Sequence, residues 1–231
     1  MSVFEWALGS SEAKTGGVMI GVVTDNNDPD GLGRVKVKLP FKAPPVETDW
    51  IRVATLMGGP GRGTLFIPEV DDEVLLVSYQ GDFFHPVVIG SLWSDKQKPP
   101  QDKTDKENNL RKIRSRAGHE IVFDDSSKGE VSIKTAKGNQ IVLNDDKGTL
   151  TINNLDGKKI EVAKEGVTVT CEQSTVSLKP SGQIEIKGTN TKIEAQQIEI
   201  KGTTLSIKAD AQLTVESSGM LTLKGSLVKI N

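Results

Sequence analysis

The chain has 231 residues and a formal net charge of -2, built from 29 basic and 31 acidic residues that are interleaved along it. That interleaving argues against a nucleic-acid surface, which needs a basic stripe, and a single cysteine, Cys171, rules out an internal disulfide. No run approaches the ~18 apolar residues of a membrane span, and the start, MSVFEWALGSSEAKTGG, lacks the basic n-region and continuous apolar core of a signal peptide.

Composition splits the chain in two. All three tryptophans (Trp6, Trp50, Trp93), the only tyrosine (Tyr79) and nine of the ten prolines lie before residue 101. The second half has almost no aromatic residues and cannot build an ordinary bulky core.

Residues 1–17 read as an N-terminal arm, with Phe4 and Trp6 as possible anchors. From 18 to 93 the pattern is strand and turn: VMIGVVT, the turn DNNDPDGLG, RVKVKLP, WIRVATL, the glycine-rich GGPGRG, TLFIPEV, EVLLVSY and PVVIGSLW. Short runs rich in Val, Ile and Leu, broken by Gly, Pro and Asp, predict a small closed β-barrel of five or six strands, of the OB type. Residues 94–113, opening SDKQKPPQDKTDKENN, are charged and proline-bearing and read as a linker too short to hold a folded domain.

From 114 to 231 a repeat takes over. Apolar i, i+2 pairs recur fourteen times, from Ile121 with Phe123 to Val228 with Ile230, each predicting a short strand with one apolar face. The hexapeptide QIEIKG occurs twice, at 183–188 and 197–202. Glycines at 129, 138, 148, 157 and 166 punctuate the early repeats every nine or ten residues, where a turn needs glycine's freedom. Later strand starts close up to roughly every eight residues, as in an object that tapers.

Such a chain cannot stand alone. Two apolar side chains per strand make too thin a layer to cover itself, and open strand edges invite aggregation. Units of eight to ten residues are also too short for a closed single-chain coil. Three chains wound together remove both difficulties, so the pattern predicts an intertwined homotrimeric triple-stranded β-helix. Its axis would be lined by Ile184, Ile186, Ile198, Ile200, Leu205, Ile207, Leu213, Val215, Leu221 and Leu223. Outward Glu and Lys, such as Glu185, Lys187, Glu199 and Lys201, would form a solvated face with cross-strand pairs. Fourteen levels about 4.8 Å apart give a rod of roughly 65 Å. Cys171, in phase with Val167 and Val169, reads as a small buried hydrophobe rather than a reactive thiol.

Residues for chemistry are scarce. His85 and His119 lie in unrelated contexts with no HExxH or cysteine nearby, so no metal site, cofactor or catalytic residue is expected. DPDG at 28–31 suggests a calcium loop, but Leu39 stands where an EF-hand's last Glu would fall, so it reads as a hairpin turn. GGPGRG at 58–63 precedes no helix and reads as a flexible barrel loop rather than a phosphate cradle. The carboxylate pairs Asp71 with Asp72, Asp124 with Asp125 and Asp145 with Asp146 fall where turns are expected.

The stretches GVVTDNNDPDGLGRVKVKLP, WIRVATLMGGPGRGTLFIPEVDDEVLLVSYQGDFFHPVVIGSLW and IRSRAGHEIVFDD closely resemble the barrel and neck of the VgrG and phage baseplate assembly protein V family, the central spike of contractile injection machines. The resemblance runs from Val18 to Asp125, and the repeat beyond fits that family's needle. It implies a rigid homotrimer that joins a hub to a tip protein and punctures a target envelope when a sheath contracts. The partners implied are a separate hub at the N-terminal end and a PAAR-type tip protein at the C-terminal end, touching Leu227, Lys229 and Asn231. The expected place is a phage tail baseplate or a phage-derived injection particle assembled in the cytoplasm. The alternative is a trimeric binding module, an OB barrel for oligonucleotide or sugar on a β-stalk, although the barrel lacks an aromatic and basic stacking platform.

Overall fold

The computed structural model of the chain describes residues 17–40, 44–78, 85–100 and 106–230. Its regular elements among these are all strands, as the sequence predicts. The arm anchors Phe4 and Trp6, Tyr79 and the tip residue Asn231 lie outside the described residues.

The first unit is built from β1 (Val18–Asp25), β2 (Lys36–Leu39), β3 (Val46–Glu47), a small hairpin of β4 (Gly58–Gly59) and β5 (Arg62–Gly63), β6 (Glu73–Val77) and β7 (Val87–Leu92). Five of them form an antiparallel sheet in the order β3-β2-β1-β6-β7. The segment WIRVATL closes that sheet into a barrel. Ile51 exchanges both backbone hydrogen bonds with Val35 on one side, and on the other Val53 bridges Val88 in parallel, with Val88 N donating to Arg52 O at 3.0 Å.

Alternation explains the core. Val23 on β1, Val35 and Val37 leading into and along β2, Val74 and Leu76 on β6 and Val88 on β7 all point inward and are fully or almost fully buried. Gly21 is required on β1 by close approach, since a Cβ there would stand 2.3 Å from Val37 Cγ1. The buried Thr48 closes the sheet edge, its hydroxyl oxygen accepting from Val37 N at 3.0 Å.

Two local expectations change, and a third gains a clamp. TLFIPEV is not a strand, because Pro68 cannot donate to a ladder and is itself buried, turning the segment across the barrel. GGPGRG is a paired hairpin, Gly58 opposite Gly63 and Gly59 opposite Arg62, rather than a featureless loop. The DPDG turn is clamped by an arginine: Arg34 donates to Asp28 through Nε at 3.0 Å and Nη2 at 2.7 Å, and Asp28 also accepts from the backbone of Asp30, Leu32 and Arg34. That set of donors holds the Asp28 carboxyl well below the usual carboxylate range and the Arg34 guanidinium above its own, and fills the oxygens a calcium ion would use.

The second unit is a meander of nine strands: β8 (Leu110–Arg114), β9 (Glu120–Asp124), β10 (Glu130–Lys134), β11 (Gln140–Asn144), β12 (Thr149–Asn153), β13 (Lys159–Ala163), β14 (Gly166–Cys171), β15 (Ser174–Leu178) and β16 (Ile184–Lys187). Each pairs antiparallel with the next. One five-residue turn recurs, at Ser115–His119, Thr135–Asn139 and Asn154–Lys158 along one edge and at Lys179–Gln183 on the other. In each, the first residue donates to the carbonyl of the fifth, and a glycine in fourth place donates back to the first. The glycines 118, 138, 157 and 182 have φ between 78 and 102°, conformations that a side chain resists.

The linker is therefore shorter than 94–113. Its last residues form β8, which pairs with β9 from Leu110 opposite Asp124 to Arg114 opposite Glu120. Strand partners also differ from the intertwined expectation over residues 110–187, where every ladder is formed within the chain. The taper is not one of strand length, since strands of five or six residues continue through β15.

Candidate assembly interface

Register stacks the apolar residues of the meander into two columns on one face. One runs Ile113, Ile121, Ile133, Ile141, Ile152, Ile160, Val169, Val176, Ile186, each directly opposite the next. The other runs Arg111, Phe123, Val131, Leu143, Leu150, Val162, Val167, Leu178, Ile184. Side chains that alternate with them, such as Ser132, Thr151, Thr168 and Ser177, form a mostly polar opposite face.

The usual order of burial is inverted. Along β9 the half-buried residues are Glu120, Val122 and Asp124, whereas Ile121 and Phe123 are exposed. The same holds on β11 through β13. Unbroken over nine rungs, the bare face far exceeds the few hundred Å² that soluble monomers tolerate. The whole chain exposes 19535 Å², about twice the roughly 10,000 Å² expected of a compact monomer of its mass.

After Lys187 the local chemistry changes. Residues 188–230 form no strand pairs within the chain, and none of Gly188, Gly202, Gly219 and Gly225 has the positive φ seen at the turn glycines. Bends recur along it, at 189, 196, 203–204, 210–211, 218–219 and 226. Between them fall the large apolar pairs Leu205 with Ile207, Leu213 with Val215 and Leu221 with Leu223, while small residues such as Ala209, Ala211, Ser217 and Gly219 lie at or beside the bends.

The ten residues expected to line an axis therefore fall into two groups. Ile184 and Ile186 sit on β16 at the end of the two columns, and the other eight lie on the unpaired segment after Lys187; all ten are more than half exposed in the single chain. Leu227 and Lys229 are exposed at its end. Cys171 is on the apolar face as its phase requires, but it is exposed rather than buried, because nothing in one chain covers that face. Of the outward pairs expected, Lys187 meets Glu185 at 2.9 Å and Lys201 meets Glu199 at 2.7 Å, each two residues along its own segment, while Lys112 and Glu120 pair across β8 and β9 at 3.4 Å. The lysine beside it keeps the Glu185 carboxyl below its ordinary value.

Ile113 and β8 escape the sequence reading. LRKIR spaces its apolar residues three apart, so Leu110 and Ile113 fall on opposite faces and give no alternation signal. His119 is used locally, its Nδ1 accepting from Ala136 N at 3.3 Å. Asp71 sits in a turn at φ 75°, and Asp145 lies in the turn closed by Gly148 N donating to its carbonyl. No group of three or more His, Cys, Asp or Glu is gathered to hold a metal among the described residues.

Residues 19–93 match the family described as the Type VI secretion system/phage-baseplate injector OB domain. Two curated relatives, the Type VI secretion system spike proteins VgrG2a and VgrG2b of Pseudomonas aeruginosa, are each 35% identical to this chain over 75 residues. That stretch is 31% of this chain but only 9% and 7% of theirs, so the likeness concerns the barrel and spans a small part of each relative.

Proposed function

We propose, for a chain that belongs through its barrel to the injector OB domain family of Type VI secretion systems and phage baseplates, that it is the structural central spike of a contractile injection machine. In this reading three copies form a rigid rod that joins a hub at the barrel end to a tip protein at the C-terminal end, and the rod punctures a target envelope when the sheath contracts. The role is mechanical rather than catalytic.

The observation that carries the reading is the uncovered apolar face of β8 to β16. Three such sheets, each turning its two columns inward, make a closed prism in which every sheet covers the other two. The same threefold arrangement supplies strand partners for residues 188–230, which have none in their own chain. The needle then has two segments, a prism of three self-paired sheets followed by an intertwined triple strand. Stiffness comes from burying both columns, at about 25 cal/mol per Å² of apolar surface.

Solution mass tests the reading. Sedimentation equilibrium of the purified chain is expected to give three times the 24.9 kDa chain mass. Ile141→Asp, which places a charge within one column, is expected to abolish that mass, whereas Ser132→Asp on the opposite face of the neighbouring strand keeps it. A wild-type chain that sediments as a monomer overturns the proposal.

A further inference from the structure

The barrel carries apolar residues outside as well as inside. On β1, Met19 and Val23 point inward, and Val18, Ile20 and Val22 alternate outward. Pairing extends that outer face across the sheet: Ile20 stands opposite Leu75 and Leu75 opposite Gly90, while Val18 stands opposite Val77 and Val77 opposite Val87. Ile89 sits beside them at the β7 bulge, and Val18, Ile20 and Ile89 are all exposed. Unbroken apolar runs such as VMIGVV and EVLLV are the signature of strands covered on both faces, and here only the inner face is covered.

A second apolar surface projects from the same barrel. Past Ala54 the chain leaves the seam beside β7 as an arm, with β4 and β5 at its end and the Thr55 hydroxyl donating to Thr64 O at 2.6 Å at its base. The arm holds Leu56, Leu65 and Phe66 in solvent, at 95, 80 and 70% exposure. Its only charged side chain is Arg62.

We propose that these two surfaces bind each other between copies, the arm of one barrel lying across the outer face of β1, β6 and β7 of the next. The inference rests on the homotrimer proposed above and adds a clasp at barrel level. A second copy is favoured as the occupant on two grounds. A closed ring of three needs two different complementary patches on each subunit, and the barrel has one flat and one protruding. Charge agrees, because the needle-side rim of the flat face carries Asp71, Asp72 and Glu73, which would receive the arm's Arg62.

The test joins the two surfaces by a disulfide. In a Cys171→Ser background, Leu65→Cys with Ile89→Cys is expected to give, on mild oxidation of the purified chain, a covalent species of three chains on a denaturing gel, with neither single variant forming one. A pair that links only within one chain, or not at all, while the native mass remains that of three chains, overturns the clasp and leaves the trimer standing. A native mass of one chain overturns the trimer reading itself and is measured independently of the cross-link. As a check that needs no disulfide, the thiol of Ile89→Cys alone is expected to react with a maleimide at least tenfold more slowly than that of Lys137→Cys on a needle turn. Equal rates overturn the proposal. Protection that disappears when residues 2–16 are deleted also overturns it, because the chain's own N-terminal segment would then be the cover.

Discussion

Arg116, in the first turn of the meander, donates to Glu69 in a barrel loop at 3.0 Å, a contact across 47 positions of sequence. A second tether lies beside it: Gln97, just past β7, donates to the carbonyl of Asp71 at 2.9 Å. The charged linker is thus fixed to the barrel near its start by Gln97, and the first needle turn is fixed to the barrel by Arg116.

The Arg116 pair orients the joint more than it stabilises it. Both partners are largely in solvent, where such pairs contribute about 0–1 kcal/mol. Arg116→Ala is expected to lower Tm by only a few degrees in a calorimetric scan, while segmental mobility between barrel and needle, read by spin labels on each, increases. A large Tm loss would show that the pair supports the fold itself.

Asp28 should matter more and should show a pH dependence of definite sign. Its carboxylate titrates lower in the folded chain than in the unfolded one, so its contribution is complete at neutral pH and is lost as pH falls below about 4. Asp28→Asn is expected to melt below wild type by a constant gap between pH 6 and 8. That gap should shrink below pH 4; one that widens in acid would contradict the clamp.

Turn glycines differ in what they tolerate. At Gly166, φ is 127° and a Cβ would meet Leu178 O at 2.0 Å, so Gly166→Ala combines strain with a backbone collision. At Gly148, φ is 60° and the space is open, so Gly148→Ala carries only the conformational cost, about 1–2 kcal/mol. Denaturant melts are expected to rank Gly166→Ala clearly below Gly148→Ala, and equal midpoints would count against the β14–β15 register.

Ending the chain at Lys187 separates the two needle segments. The truncated protein is expected to keep the β-sheet circular dichroism of residues 17–187 but to dissociate in SDS without boiling, whereas the full chain resists. Resistance retained by the truncation would place kinetic stability in the prism of sheets instead.

Alternation made most of this architecture legible. Apolar runs between Gly, Pro and Asp announced the barrel strands that carry Val23, Val37, Val74 and Val88, and pairs such as Ile141 with Leu143 announced the needle strands, because a pleated strand sorts its side chains by parity. Gly129, Gly138, Gly148, Gly157 and Gly166 marked their turns for the same local reason. What alternation cannot report is the partner of a strand. Ile152 has the same pattern whether it lies beside Ile141 of its own chain, as it does, or beside a neighbour's residue. Spacing held that information in the switch from turns closed by positive-φ glycines every nine or ten residues to bends without them in units of about eight. Nor could parity find Ile113, whose strand alternates charge with charge. The outer face around Ile20 was written as an unbroken apolar run, a pattern equally compatible with simple core burial.

The loss of hairpin turns after Lys187 also orders biosynthesis. The described strands β1 to β16 pair within one chain, so barrel and meander can form as each polypeptide leaves the ribosome, at a rate independent of how many chains are present. Residues 188–230 follow them, and in the proposed trimer they would close only when three chains meet. Their ordering would then depend on chain concentration. The segment after Lys187 would thereby be the late, concentration-dependent step of assembly.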